Sequence, residues 1–309
     1  MSDGAAAGLP ANLVVFERGW LSSNNILLIG ADETALVDTG YATHADQTLA
    51  LVESSLGIRP LDRIVNTHLH SDHCGGNAAL QQRYPALLTD IPPGEAALVE
   101  QWDERGLSFL ATGQTCPRFR FTGLLQPGTE CVLGGSPWQV HGAPGHDPHS
   151  VILFDPASRT LISADALWES GFGIAFPELA GEPSFGDLAA TLDRIEMLGP
   201  LQVIPGHGRV FNEVGSALTT ARRRLEGLQR DPVKHARHAI KVLMKFKLLE
   251  VQSIALDDWK AWIRSTPYLD AIRSRFFADA ELEQLAGDVL HELIVAGAAE
   301  MDSSGIRNT

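Results

Sequence analysis

Apolar and polar positions alternate in short blocks over the first two-thirds of the chain. Asn12–Phe16 (NLVVF), Asn25–Gly30 (NILLIG) and Thr34–Gly40 (TALVDTG) read as strands, the last ending in a glycine turn. Ala45–Gly57 switches to helical spacing, with Leu49, Val52 and Leu56 on one face and Gly57 in the C-cap position. The pattern then gives a strand at Asp62–His68, a short helix stopped near Pro85, a strand at Ala86–Asp90 and a helix over Gly94–Gly106. Glu130–His146 reads as two strands around a Gly-Gly turn, and Ser150–Asp165 as a second pair turning at Asp155–Ser158. A helix at Phe185–Gly199 and a strand at Leu201–Gly208 complete this part. Hairpins interleaved with helices predict two layers of sheet flanked by helices.

From about residue 212 the spacing predicts helices only. Glu213–Asp231 and Val233–Leu249 are amphipathic and are separated by Asp231-Pro232. Two more helices, at Ser253–Arg264 and Asp279–Glu300, each follow a Ser or Asp suited to capping. The expected division is therefore a catalytic-type unit over 12–212 and a helical appendage over 213–309.

Composition narrows the partners. A net charge of −14 disfavours non-specific association with nucleic acid or anionic membranes, although Arg222–Lys247 is locally basic. No apolar run approaches the roughly 20 residues that span a bilayer. The N-terminal segment lacks the basic and apolar regions of a signal peptide and reads as a loose tail. Three cysteines, Cys74, Cys116 and Cys131, form no CxxC pair and argue for a reducing, cytoplasmic setting. A small-molecule substrate is the expected partner, and a homo-oligomer is compatible with the sequence.

The chemistry is concentrated in Asn66–Gly76, NTHLHSDHCGG. Side chains two apart on an extended backbone point the same way, so His68 and His70 can reach one ion. Asp72 and His73, from the turn that follows, can face a second. Imidazole and carboxylate donors suit Zn(II), Fe(II) or Mn(II) without a thiolate. Further ligand-type residues stand at strand ends: His146 in APGH, Asp165 in LISAD and His207 in IPGHG. Cys74 reads as a buried inert thiol, and His149 as a peripheral histidine. His44, His141, His235, His238 and His291 read as structural. Trp168, Phe172 and Phe176 read equally well as a substrate wall and as core, and Trp102–Gly123 as a lid.

HxHxDH with Gly-Gly, PGH, a strand-terminal Asp and PGHG, in that order over residues 12–212, resembles the metallo-β-lactamase superfamily. The resemblance implies an α/β fold, a four-layer αβ/βα sandwich, carrying two divalent metal ions, Zn(II) foremost. It implies His68, His70 and His146 as ligands of one metal, Asp72, His73 and His207 of the other, and Asp165 between them. Asp38 would orient a ligand. A dinuclear centre lowers the pKa of water towards 7 for attack on a carbonyl or phosphoryl group, and Asp72 is the candidate for proton handling. The implied activity is hydrolysis of a small thioester or lactone, as in the glyoxalase II-like branch. The alternatives are the endoribonuclease branch of beta-lactamase-like protein 2, which also carries a C-terminal extension, and an iron-dependent oxygenase of the same fold. His70 departs from the acid that flavodiiron members usually carry there.

Overall fold

The computed structural model describes residues 8–309; part of the expected loose N-terminal tail, residues 1–7, lies outside the described residues. In chain order come β1 (Leu13–Phe16), β2 (Asn25–Ile29), β3 (Thr34–Val37), α1 (Ala45–Leu56), β4 (Arg63–Val65), α2 (Ser71–Cys74) and α3 (Asn77–Arg83). They continue with β5 (Leu88–Ile91), α4 (Ala96–Gln101), α5 (Phe109–Thr112) and β6 (Gly123–Leu124). These six strands form one sheet in sequential order. A second sheet holds β7 (Glu130–Leu133), β8 (Ser136–Gly142), β9 (Val151–Asp155), β10 (Thr160–Ala164) and, after α6 (Phe176–Ala180) and α7 (Phe185–Leu198), β11 (Gln202–Pro205). The hairpins pair antiparallel, whereas β3–β4, β4–β5, β5–β6 and β10–β11 are parallel. Each parallel step needs a crossover, and α1, α3 and α7 supply three of them.

Alternation within the strands builds the layers. Ile26, Leu28, Ala35, Val37 and Val65 face Val140, Val151, Leu153, Ile162 and Ile204 across the space between the sheets. Their neighbours Leu27, Leu36 and Ile64 face α1 and α3 on one outer side. Ile152, Phe154, Leu161 and Val203 face α7 on the other. Helix, sheet, sheet and helix therefore stack in that order, as the spacing implied. Each fully buried Leu or Ile in such a stack contributes on the order of 1.5–3 kcal/mol. The carboxyl ends of β4, β10 and β11 open on one edge of the sandwich.

Helix α8 (Val214–Arg230) packs through Ala217, Leu218, Ala221 and Leu225 into the core beside α7. A separate core begins with α9 (Pro232–Val251) and includes α10 (Leu256–Ser265), α11 (Pro267–Phe276) and α12 (Leu282–Val295). Here the expectation of helices alone is corrected. Short strands β12 (Ser253–Ile254), β13 (Ala299–Asp302) and β14 (Gly305–Asn308) form a sheet ordered β12-β14-β13. β13 is largely exposed and β14 half-buried, and neither shows an alternation of apolar and polar residues; Ile306, fully buried, anchors them to the helices. Helix α11 was hidden as well, although Pro267 at its first turn and the Leu269–Ile272 spacing signal it. The expected Ser and Asp caps of α10 and α12 are absent, and only Asp231, accepting from Lys234 N at 2.9 Å at the start of α9, caps as a side chain in this part.

Candidate metal centre

His68 and His70 leave the end of β4 with Leu69 between them. Leu69 turns into a core with Cys74, Ile91 and Phe109, which directs the two imidazoles to the open edge. The single turn α2 then carries Asp72 and His73. Its backbone carbonyls are claimed from outside: Ser23 N donates to Asp72 O (2.9 Å), and Thr39 N donates to His73 O (2.8 Å). The other three residues come from the second sheet. His146 follows β8, Asp165 follows a bulge in β10 where Ala164 adopts φ 46°, and His207 follows β11.

Gly206 shows how closely these strand ends meet. A side-chain carbon there would overlap the Asp165 carboxylate and approach His73 Cε1 to 3.0 Å. Its amide donates to Ala164 O (2.7 Å) and its carbonyl accepts from Asn24 N (2.6 Å). The Pro-Gly-His sequence thus reflects space taken by two other members of the site.

All seven residues converge. His68 Nε2 lies 3.0 Å from His70 Nδ1, which lies 2.9 Å from His146 Nε2. In a tetrahedral zinc site with ~2.0–2.1 Å bonds, ligand nitrogens stand about 3.3 Å apart, so this trio has the right dimensions. His207 Nε2 is 3.1 Å from Asp72 Oδ2. One Asp165 oxygen faces His146 Nε2 at 3.3 Å, and the other faces His73 Nε2 at 3.5 Å and His207 Nε2 at 3.9 Å. Donor atoms group as His68/His70/His146, His68/His73/Asp165 and Asp72/His73/His207. His73 Nε2 is buried without a hydrogen-bond partner, a costly state for such an atom unless something else satisfies it. Donor chemistry, spacing and this orphaned atom all fit divalent cations.

The rear faces of the rings are held. Asp38, in a left-handed conformation at the end of β3, accepts from Thr67 N (2.9 Å), Thr67 Oγ1 (2.8 Å) and His73 Nδ1 (2.7 Å). His146 Nδ1 donates to Ile174 O (2.6 Å), which leaves Nε2 as an acceptor towards the site. His70 Nε2 has Asp147 Oδ2 at 3.9 Å. Asp147 was missed in the sequence reading, since one acid beside a histidine carries no signal of its own.

Charge follows burial and neighbours. Burial, reinforced by the imidazoles of His73, His70 and His146, holds His68 well below its ordinary range. Burial likewise lowers His146 to about 4, against the pull of Asp165. Burial alone would raise Asp165, but His73, His207 and His146 outweigh it and keep the carboxylate well below its usual range. For His73, burial opposes charging, yet Asp38, Asp165 and Asp72 raise it well above. A cation entering here would replace that proton.

Over the cluster lies a cavity of about 140 Å³ whose walls come from both cores. Trp20 stacks on His207 with centroids 5.3 Å apart, and Trp168 meets both rings edge-on. Phe176 lies edge-on to His70 with centroids 5.2 Å apart, Val242, Phe246 and Tyr268 also line the cavity, and none of the described lining residues is Lys or Arg. The loop after Asp165 divides: Trp168 and Phe176 line the cavity, whereas Phe172 is core. Ser108, Thr112 and Gln114 of the expected lid segment also line the cavity. Trp20, Val242, Phe246 and Tyr268 were not identified from sequence, being ordinary apolar residues far apart in the chain. His149 is exposed and packs against Gly94, outside the cavity lining. Cys74 is buried, its Sγ 3.7 Å from that of Cys116, and burial pushes its thiol well above the ordinary range.

The sequence profile of the Metallo-beta-lactamase superfamily matches residues 18–207. A hydroxyacylglutathione hydrolase from Anaeromyxobacter dehalogenans (strain 2CP-C) is 31% identical over 212 residues, 66% of this chain and 69% of that protein. A beta-lactamase-like protein 2 homolog from Caenorhabditis elegans is 25% identical over 201 residues, 63% of this chain and 59% of that one. Among solved structures, a metallo-beta-lactamase family protein from Thermus thermophilus aligns with a TM-score of 0.55 over 97% of this chain and 99% of that chain; at 22% identity this is a likeness of fold.

Proposed function

The chain belongs to the metallo-beta-lactamase superfamily, and from that membership we propose that it is a dinuclear metal-dependent hydrolase of a small acyl substrate, a thioester or a lactone. The observation that carries this reading is the set of overlapping His/Asp groups lying at the floor of an apolar, cation-free cavity. His68, His70 and His146 would hold one ion, Asp72, His73 and His207 the second, and Asp165 both. Bound there, divalent cations, Zn(II) foremost, would lower the pKa of water and polarise a carbonyl. Asp72 stands 3.1 Å from His207 on the solvent side of the cluster and would shuttle the proton as the leaving group departs. Trp20, Trp168 and Phe176 exclude bulk water around the acyl group.

The free, closely spaced Cys74 and Cys116 support a reducing compartment such as the cytoplasm. Among the described residues no helix is long and apolar enough to cross a membrane.

The endoribonuclease reading is favoured by the C-terminal unit, α9 to α12 with a small sheet, and by the basic residues of α8 and α9. Those cations do not line the cavity over the metal cluster, which supports the acyl reading instead. An iron-dependent oxygenase would use the same ligands.

The deciding experiment purifies the protein without added metal, measures bound zinc, iron and manganese, and assays thioesters, lactones, phosphodiesters and RNA. Two ions per chain with acyl hydrolysis, both lost in Asp165→Ala while the fold persists, is the expected result. Two ions retained in that variant would sink the assignment.

A further inference from the structure

A second cavity, of about 670 Å³, lies between α8 and α9. Arg223 and Arg224 line it from one helix, and Lys234, Arg237, His238 and Lys241 from the other. Glu292, paired with Arg237 and Lys241, is the one carboxylate among its lining residues. Among the described residues, Arg223, Arg224 and Lys234 have no ion-pair partner, in a chain whose net charge is −14. Such a concave concentration of uncompensated cations is unlike a solvated helix face, where opposite charges interleave. Burial, then Arg224 and Lys241, hold His238 down at about 4, so the imidazole adds no charge at neutral pH, and its Nε2 accepts from Arg224 Nη2 at 3.3 Å.

The groove and the metal cavity are both bordered by α9. Lys241 lines the groove, and the next residue, Val242, lines the cavity; His238 and Val242 are one helical turn apart. Along α9, Lys241 and Phe246 are separated by only about 7.5 Å of helix axis. Arg224 also lies over the ring of Phe172, 4.9 Å from its centroid, in the loop that supplies Trp168 and Phe176 to the cavity. The metal cavity has room for a small acyl group and no cation to recognise an anionic one.

We propose that the α8–α9 groove binds the phosphate-bearing thiol half of a thioester whose acyl end occupies the metal cavity. Arg and Lys side chains in a concave site are suited to phosphate oxygens by charge-assisted hydrogen bonds. In the reaction, water adds its oxygen to the acyl carbon, the carbon–sulfur bond breaks, and the thiol leaves with a proton from that water. The acyl half of this proposal rests on the hydrolase reading above; binding of the phosphate-bearing half does not.

The test uses the metal-loaded protein and two measurements. Titration calorimetry with coenzyme A should show binding that weakens with added salt. It should weaken about tenfold in Arg223→Gln/Lys234→Gln, both exposed and free of ion pairs, as expected for losing charge-assisted contacts. KM for a short acyl-coenzyme A should rise by about the same factor, while hydrolysis of the matching uncharged N-acetylcysteamine thioester should not change. Binding that ignores both salt and the substitutions, or equal KM changes for both thioesters, would overturn the proposal. So would charge-dependent binding of a short single-stranded RNA with none of coenzyme A. Coenzyme A bound in the groove with neither thioester hydrolysed would instead count against the hydrolase reading alone.

Discussion

Asp38 Oδ2 lies 2.7 Å from His73 Nδ1, and both side chains are sealed from solvent. With two Thr67 donors also on Asp38, the carboxylate is fixed from three sides and fixes the imidazole in turn. His73 Nε2 is thereby aimed between Asp72 and Asp165. Asp38→Asn should keep the fold but lower metal affinity by about 10–100-fold, the usual loss when a group orienting a ligand is changed. Competition against a graded series of chelators measures this, and unchanged affinity would show that ring orientation does not matter here.

Gly206 should tolerate no side chain, because Asp165 and His73 occupy the space a methyl group would need. The neighbour that must move is a proposed ligand and not a flexible surface chain. Gly206→Ala should therefore remove metal while leaving the sandwich folded, since Pro205 and Ile204 stay in β11. Bound metal per chain, with far-ultraviolet circular dichroism as the control, separates this outcome from simple unfolding.

Much of this was legible along the chain, for identifiable reasons. His68 and His70 flank an apolar residue at a strand end, so alternation alone predicts that they share a face. His146, Asp165 and His207 each follow an apolar strand, and rigid strands deliver such residues to a common edge. The cavity walls were not legible, because Trp20 gains meaning only when it stacks on His207, and Phe246 and Tyr268 only when α9 and α11 dock against the sandwich. Strands β13 and β14 escaped for a different reason: they are only four residues each and lack a regular alternation of apolar and polar positions. Asp147 beside His146 gave no sign that it would face His70.

Glu95 makes stability depend on pH in an unusual direction. Its side chain is buried, one oxygen has no hydrogen-bond partner, and burial with the nearby Asp147 raises its carboxyl to about 8. An unfolded glutamate releases its proton near an ordinary value of about 4.3. Between those values the folded state holds the proton and the unfolded state does not, so stability falls as pH rises. The loss is on the order of a few kcal/mol across the window. Denaturant melts at the two ends of the window should show it, and Glu95→Gln, which cannot ionise, should flatten the slope. An equal slope in that variant would assign the effect to other groups.

The last expectation concerns what the cavity selects. Phe246 belongs to α9, packs edge-on against Tyr41 at 5.1 Å and lines the cavity. Truncating it removes part of the wall but none of the proposed metal ligands, so chemistry and selectivity should separate. Phe246→Ala should cost about 3–5 kcal/mol of stability if the space stays empty. Bound metal should be unchanged. A pocket that discriminates by filling gains or loses about 1–3 kcal/mol per methylene, or roughly 10–200-fold. The ratio of kcat/KM for a longer acyl thioester to that for a shorter one should therefore rise by at least about tenfold in the variant. If both substrates fall together, Phe246 supports the fold alone, and the acyl group must lie along another wall, nearer Trp20 and Trp168.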